Sequence, residues 1–325
     1  MQPVPGGLSQ LVRRQAGRHV KHAKRMSPLT RLSVFFILSP DYWSHTTVAV
    51  ASVLEQADNL DIHIFSEGVN ARWFAKVQRL VDHRDSTITY HPFDTALTEG
   101  LKECGHLGLS TYYRLFIPDL FADKVDRLIY LDSDMVICSS LHELANQPLE
   151  NCVIGAVPSF SAQQNQKKAI SLAHGRDSSY FNAGVMLINP QKWKEERVRD
   201  QCLVFAEEHP ECIQFADQDL LNYVLAGQYK SLPLGWNATV EMYGDIDPED
   251  LDGCSLDELK TARANPHIVH FNGCFKPWHL SYRHPFKTRY TNLRRRLQKT
   301  PYVADDFPWP YLAKPLRVLQ RQVSQ

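Results

Sequence analysis

The chain has 325 residues, of which 43% are hydrophobic and 22% charged, a composition that excludes disordered and fibrous proteins and allows one large core or two modest ones. Its 36 basic residues balance 36 acidic ones, which argues against a surface that grips nucleic acid as a whole. Seven scattered cysteines form no C-x-x-C pair, and no apolar run reaches the length of a membrane span, so a cytoplasmic protein with free thiols is expected.

The first acidic residue is Asp41, and before it come Arg13, Arg14, Arg18, Lys21, Lys24, Arg25 and Arg31, so residues 1–31 read as a basic arm. Leu32 to Leu38 is a continuous apolar run with β-branched and aromatic members, which predicts a buried strand. A helix is expected over Ser44 to Ala57, with Ser44 and Thr46 as caps, then a strand over Leu60 to Phe65, a helix over Asn70 to Asp82 and a strand over Thr87 to Phe93. Further on, the pattern predicts a helix near Thr111 to Ile117 and strands at Arg127 to Leu131, Val153 to Val157 and Tyr180 to Ile188. Helices at Gln191 to Glu208 and Asp217 to Ala226 and a short strand at His267 to Phe271 complete the run. Alternating strands and helices imply one α/β domain over residues 32–280 with a mainly parallel central sheet. Residues 281–325 read as a separate, helical, basic and aromatic tail, carrying Arg283, Lys287, Arg289, Arg294, Arg295, Arg296 and Lys299 among Tyr282, Phe286, Tyr290, Phe307, Trp309 and Tyr311. Such ends suit peripheral attachment to an anionic membrane surface.

An apolar strand runs straight into Asp132-Ser133-Asp134. Residues two apart on an extended backbone point the same way, so both carboxylates can approach one cation at the carboxyl end of a central strand, where open α/β sheets bind ligands. Oxygen ligands suit a hard divalent ion such as Mg²⁺ or Mn²⁺. Two further D-x-D stretches, beginning at Asp217 and Asp245, do not follow an apolar strand, and no phosphate loop of the G-x-x-x-x-G-K-[ST] type is present.

Four blocks then give the sequence its resemblance to glycosyltransferase family 8, the group of bacterial lipopolysaccharide galactosyl- and glucosyltransferases and the glycogenins. They are Ser110-Thr-Tyr-Tyr-Arg-Leu115, Leu128-Ile-Tyr-Leu-Asp-Ser-Asp-Met135, Tyr180-Phe-Asn-Ala-Gly-Val185 and Val269-His-Phe-Asn-Gly-Cys-Phe-Lys-Pro-Trp278. The resemblance implies a single GT-A, Rossmann-like nucleotide-sugar domain and a retaining transfer of glucose or galactose from a UDP-sugar to a saccharide acceptor, in lipopolysaccharide or other surface-glycan synthesis. It implies that Asp132, Asp134 and His270 ligate Mn²⁺, with Mg²⁺ as the second candidate. Donor contacts would come from Ser39, Asp41, Arg114, Asp132, Ser133, Asn182, Ala183, Gly273 and Lys276. Asp217 would orient the sugar, and Gln218 would stabilise charge near the anomeric carbon. From the residues alone, Asp217 reads better as a helix N-cap, while Asn182 and Gly184 inside an apolar strand read better as a recognition amide and a close backbone approach than as a simple β-bulge. The chain departs from the family where Ser39 takes the place of an acidic residue, with Asp41 displaced, and where Pro158-Ser159 replaces an aspartate.

Two other readings compete. Asp132-Ser-Asp-Met-Val136 also matches the D-x-D-x-[TV] of haloacid-dehalogenase-like phosphatases, with Tyr243 to Asp250 as a loose second acidic motif. The other is an inactive sugar-nucleotide-binding protein, against which stand the intact Asp132, Asp134, His270, Lys276 and Gln218.

Overall fold

The computed structural model describes residues 31–82, 84–104, 108–160, 179–246, 251, 254–298 and 304–306, all within one compact unit that begins at Arg31. The arm up to residue 30, the later acidic stretch 247–250 and the aromatic residues Phe307, Trp309 and Tyr311 lie outside the described residues. In chain order the elements are β1 (Leu32–Ile37), α1 (Trp43–Gln56), β2 (Leu60–Ser66), α2 (Ala71–Val81), β3 (Thr87–Pro92), α3 (Ile117–Phe121), β4 (Leu128–Leu131), β5 (Met135–Ile137), α4 (Leu141–Ala145), β6 (Ile154–Pro158) and β7 (Phe181–Ile188). There follow α5 (Pro190–Glu195), α6 (Val198–Glu208), α7 (Asp217–Val224), β8 (Tyr229–Ser231), β9 (Ala238–Thr239), α8 (Leu256–Ala264), β10 (Ile268–His270) and α9 (Lys287–Gln298).

The main sheet has the order β3-β2-β1-β4-β7-β6-β8. It is parallel except at β7, which runs antiparallel to both β4 and β6, so the expected mainly parallel α/β sheet is present. Strand β1 shows why its run is apolar throughout: Val34 and Phe36 pack with α1, while Phe35 and Ile37 pack on the opposite face with residues of α5, α6 and α7.

A second, small sheet of order β5-β10-β9 was not foreseen, since its strands are two or three residues long. Only three residues separate the end of β4 in the large sheet from the start of β5 in the small one, and they are Asp132, Ser133 and Asp134. The motif is therefore the hinge between two sheets.

Several sequence expectations are corrected. Ser44 and Thr46 do not cap α1: Tyr42 occupies the N-cap, and the Thr46 hydroxyl donates back to the Tyr42 carbonyl at 3.0 Å. The helix expected over Gln191 to Glu208 is two, because Arg197 takes a left-handed φ of 52° between α5 and α6. The stretch around Thr111 is a 3-10 turn over Leu109–Leu115 that passes into α3, with Pro118 in the first turn.

The basic tail does not stand apart over its described residues. Tyr290 and Leu293 of α9 are buried against Val48 and Ala51 of α1, Val136 of β5 and Val269 of β10, so α9 is the cover of the small sheet. His45 of α1 is hydrogen-bonded through Nδ1 to the Tyr290 hydroxyl at 2.8 Å and stacked 3.6 Å from the ring of Trp278. Burial first, then the charge of Arg294, pushes the pKa of His45 down to about 3, which keeps it neutral. Asp305 accepts from Arg294 Nη2 at 2.6 Å and Nη1 at 3.2 Å, tying α9 to the chain after it. If α9 is part of the core, Tyr290→Phe, which strands the buried Nδ1 of His45, should lower stability by about 1–2 kcal/mol in urea melts. A loose tail would show no change.

Candidate active site

Asp132, Asp134 and His270 come together although 135 residues of chain lie between the last two. The ligand atoms of the three lie within 4.8 Å of one another, with His270 Nε2 at 3.5 Å from Asp132 Oδ2 and 3.3 Å from Asp134 Oδ1. The register of the small sheet makes this happen: His270 of β10 pairs with Met135 of β5, which places it beside Asp134. The Asp134 carbonyl also accepts from Phe271 N–H at 2.9 Å.

The state of His270 follows from its other nitrogen. Nδ1 lies 2.9 Å from Oδ1 of Asn237, whose Nδ2 donates to Asn182 Oδ1 at 2.8 Å; Asn182 Oδ1 in turn accepts from Gly184 N–H at 3.0 Å. This chain of donors assigns the proton to Nδ1 and turns the lone pair of Nε2 towards two carboxylate oxygens. Three acceptors facing one point fit a divalent cation, and one imidazole with two carboxylates is a donor set that such ions take.

Close approach of β7 completes the cradle. Between β6 and β7 the register jumps: Ala156 pairs with Met186, yet Val157 pairs with Asn182, so Ala183, Gly184 and Val185 bulge away from β6. The bulged backbone serves the site instead: Gly184 O accepts from Asp132 N–H at 2.9 Å, and Ala183 O accepts from Arg114 Nη1 at 3.0 Å. A Cβ on Gly184 would fall 2.4 Å from His270 Cε1 and 2.8 Å from Asp132 Oδ2, so no other residue fits there. The block is therefore a bulge that brings backbone close to His270 and Asp132.

Charge is balanced locally. Lys276 Nζ contacts Asp134 Oδ2 and donates to the Phe271 carbonyl at 2.9 Å. Burial pushes the Asp134 carboxyl up, but the charge of Lys276 against it outweighs burial and holds it below the usual carboxylate range. Asp132 accepts from the Tyr130 hydroxyl and from Arg114 Nη2 at 3.3 Å. The guanidinium of Arg114 lies 4.5 Å over the Tyr130 ring and 2.8 Å from Asp217 Oδ2. Against the cost of its burial, Asp217, Tyr130 and Asp132 hold its pKa above the ordinary value, so it is charged.

Asp217 is not the N-cap of α7. That position belongs to Ala216, whose φ of 50° is strained for a residue with a side chain, and Asp217 points inwards at 2% exposure. Burial pushes its carboxyl up to about 6 in spite of Arg114. Asp219 instead reaches back to the chain before the helix, accepting from the N–H groups of Gln214 and Phe215 at 2.7 Å each and from Tyr180 O–H at 2.6 Å. Gln218 is fixed at both ends of its amide: Oε1 accepts from Ala183 N–H at 3.0 Å and Nε2 donates to Tyr180 Oη at 3.0 Å.

The remaining expected residues divide. The Ser133 hydroxyl donates to the Ile37 carbonyl at 3.3 Å and accepts from Thr46 at 2.9 Å, so what Ser133 offers a ligand is its backbone. Ser39 and Asp41 lie at the turn after β1, on the same sheet edge as the cluster because β1 and β4 are parallel neighbours. Gly273 takes a φ of +80° in the exposed turn that leads to Lys276. Sequence reasoning missed Asn237, Tyr130 and Asp219. Asn237 could have been suspected as an amide inside the apolar run Leu234-Gly-Trp-Asn-Ala238, where it is fully buried.

Residues 33–281 match the sequence profile of Glycosyl transferase family 8. General stress protein A of Bacillus subtilis (strain 168) is 28% identical over 247 residues, 75% of this chain and 85% of that protein. A lipopolysaccharide 1,2-glucosyltransferase of Escherichia coli (strain K12) is 25% identical over 252 residues, 76% of this chain and 73% of that one. Among solved structures, the galactosyltransferase LgtC in complex with donor and acceptor sugar analogs superposes with a TM-score of 0.71 at 25% identity, covering 83% of this chain and 98% of that one.

Two outcomes test the site. Gly184→Ala should cost about 1–3 kcal/mol of stability and abolish the thermal shift produced by divalent cations, both read in one melting experiment. A carboxyl held at about 6 folded against 3.8 unfolded contributes stability that is full below pH 4 and lost as pH rises through 6. Asp217→Asn removes that titration, so its stability relative to the native chain should improve by about 3 kcal/mol between pH 4 and pH 6.5. Urea melts at the two pH values read the difference.

Proposed function

From the chain's membership of glycosyltransferase family 8, we propose a hexosyltransferase of surface-glycan synthesis that moves glucose or galactose from a UDP-sugar to a saccharide acceptor with retention of anomeric configuration. The observation that carries this reading is the convergence of Asp132, Asp134 and His270 at the edge where β4 ends, with Arg114 and Lys276 as flanking cations.

Asp132, Asp134 and His270 would hold the metal, and the mixed nitrogen and oxygen set favours Mn²⁺, with Mg²⁺ the alternative. Bound there, such an ion supplies Lewis-acid neutralisation of the diphosphate leaving group. The chain's own residues do the rest. Lys276 adds a compact positive charge beside Asp134, and the exposed turn at Gly273 leaves room for phosphate oxygens at its backbone. Asp217 and Asn182 would orient the sugar hydroxyls, with Arg114 holding Asp217 in place. Gln218, its amide locked between Ala183 and Tyr180, would present a fixed dipole to positive charge developing at the anomeric carbon. Ser39, Asp41 and the backbones of Ser133 and Ala183 would complete the donor contacts, Ser39 and Asp41 on the nucleoside side.

The phosphatase reading has no support of this kind. It leaves His270 and Lys276 without a part, and Asp132, its nucleophile, is already engaged by Tyr130 and Arg114. No helix of the described residues is long and apolar enough to cross a membrane. A cytoplasmic enzyme that meets a lipid-linked acceptor at a membrane surface, helped by its basic ends, is the setting that suits this chemistry.

Nucleotide release from UDP-, GDP- and ADP-sugars, with and without Mn²⁺, tests the proposal. Mn²⁺-dependent release from a UDP-hexose is expected, and turnover of a phosphomonoester alone would overturn it. Asp132→Ala and Asp134→Asn should each lower that release about 10²–10³-fold while the circular dichroism spectrum stays native.

A further inference from the structure

The two cations beside Asp132, Asp134 and His270 are held in different ways. Arg114 is fixed on several sides: Nη2 lies 3.3 Å from Asp132 Oδ1, Nε lies 2.8 Å from Asp217 Oδ2, Nη1 donates to the Ala183 carbonyl at 3.0 Å, and the guanidinium covers the Tyr130 ring. It takes Oδ1 of Asp132 and leaves Oδ2, 3.5 Å from His270 Nε2, to the cluster.

Lys276 is tethered more loosely. Its Nζ contacts Asp134 Oδ2 and donates to the Phe271 carbonyl at 2.9 Å, with the Trp278 ring 5.9 Å away. The pair is poorly solvated, with the Lys276 and Asp134 side chains 11% and 10% exposed. Against the cost of burial, Asp134 holds the pKa of Lys276 above its ordinary value, so the ammonium is charged. The turn that carries it is open by contrast: Gly273, Cys274 and Phe275 are exposed, Phe275 to 68%, and Gly273 has a φ of +80°. An ammonium on a flexible four-carbon stem, set at the end of such a turn, can change partners; a guanidinium shared between two carboxylates and a carbonyl cannot do so readily.

Asp134 therefore has its charge answered by Lys276 through Oδ2 while Oδ1 faces His270 Nε2 at 3.3 Å. A divalent cation taken up by Asp132, Asp134 and His270 would have to share Asp134 with that ammonium, and like charges on one buried carboxylate repel strongly where water screens little. Arg114 has a second carboxylate, Asp217, to keep it in place. Lys276 has no second carboxylate among the described residues, and a diphosphate would supply one set of anionic oxygens to it. Taking the cluster as a metal site that faces the diphosphate of a nucleotide sugar, as in the proposed function, we propose that Lys276 is an exchangeable counter-ion. Paired with Asp134 it opposes a divalent cation there, and the donor's diphosphate draws it off, so that metal and donor are taken up together. Coupling of this kind is reciprocal, each ligand raising the affinity for the other by one common factor.

Calorimetric titration of the full chain with Mn²⁺, alone and with UDP present, tests the exchange. The native chain should bind Mn²⁺ alone weakly and at least about tenfold more tightly with UDP. Direct contact between the ion and UDP oxygens would give such a gain by itself, so the deciding readout is Mn²⁺ alone. Lys276→Gln should bind it at least about tenfold more tightly than the native chain and gain correspondingly less from UDP. Lys276→Arg, which keeps the charge, should bind Mn²⁺ alone as weakly as the native chain. Equal or weaker binding of Mn²⁺ alone by Lys276→Gln, undiminished coupling in that variant, or tight binding by Lys276→Arg would each overturn the proposal. Should the glutamine variant fail to fold, Lys276→Met, which keeps the apolar stem, must show the same gain, and no gain overturns the assignment. Mn²⁺-dependent binding of UDP without that gain sinks the exchange alone, whereas no binding of Mn²⁺ by native chain or variant, with or without UDP, sinks the metal reading with it.

Discussion

Two carboxylates and an imidazole lone pair facing one another inside a protein repel unless positive charge is close, and the architecture around Asp132, Asp134 and His270 is organised by that requirement. Lys276 reaches Asp134 from the loop after β10, and Arg114 reaches Asp132 from the turn before α3. Each cation is nearly buried and anchored by a backbone carbonyl, Phe271 for Lys276 and Ala183 for Arg114. Neither could be removed without leaving a carboxylate uncompensated in a poorly solvated setting. In the proposed function the same cations would face the donor's diphosphate, and charge that stabilises the fold would then serve the nucleotide sugar.

The second constraint is geometric. Ligands from two sheets must meet at one point, and the D-x-D stretch is the strand-to-strand hinge that lets them. β7 bulges at Ala183 to Val185, so that the Ala183 carbonyl turns to Arg114 in place of β6, while Gly184 carries the pairing with β4 on to Asp132. Gly184 is the contact point, and Asn182 and Asn237 carry the orientation onward to the imidazole. On the far side, the amide of Asn222 bonds both the N–H and the carbonyl of Phe181, at 2.7 and 2.9 Å, joining α7 to β7. Through this joint Asp217 and Gln218 keep their station relative to Asp132, Asp134 and His270.

Helix α9 shows how a charged sequence can serve a core. Its twelve residues include four arginines and one lysine, yet Tyr290 and Leu293 bury one side against α1 and the small sheet. Lys287 donates to three carbonyls of the preceding turn, His279, Leu280 and Tyr282, at 2.8 to 3.0 Å. Those arginines that are not absorbed in this way line a groove beside Glu55.

The sequence by itself determined the alternation of long strands and helices, because continuous apolar runs such as Leu32 to Ile37 permit little else, and the resemblance of four blocks identified the family. It also named the metal-ligand candidates, since residue type and short spacing are local properties. What it did not carry was anything decided by contacts between distant segments. The three-residue strand β5 has no periodicity of its own and exists because it pairs with β10, the short strand expected at His267 to Phe271. The inward turn of Asp217 towards Arg114, the inward turn of the Ser133 hydroxyl towards Thr46 and Ile37, and the burial of α9 each depend on which partner arrives from elsewhere in the chain. Propensity fixes what a residue can do locally; only tertiary packing, by taking polar groups out of water and requiring each to find a partner, decides which of those options it takes.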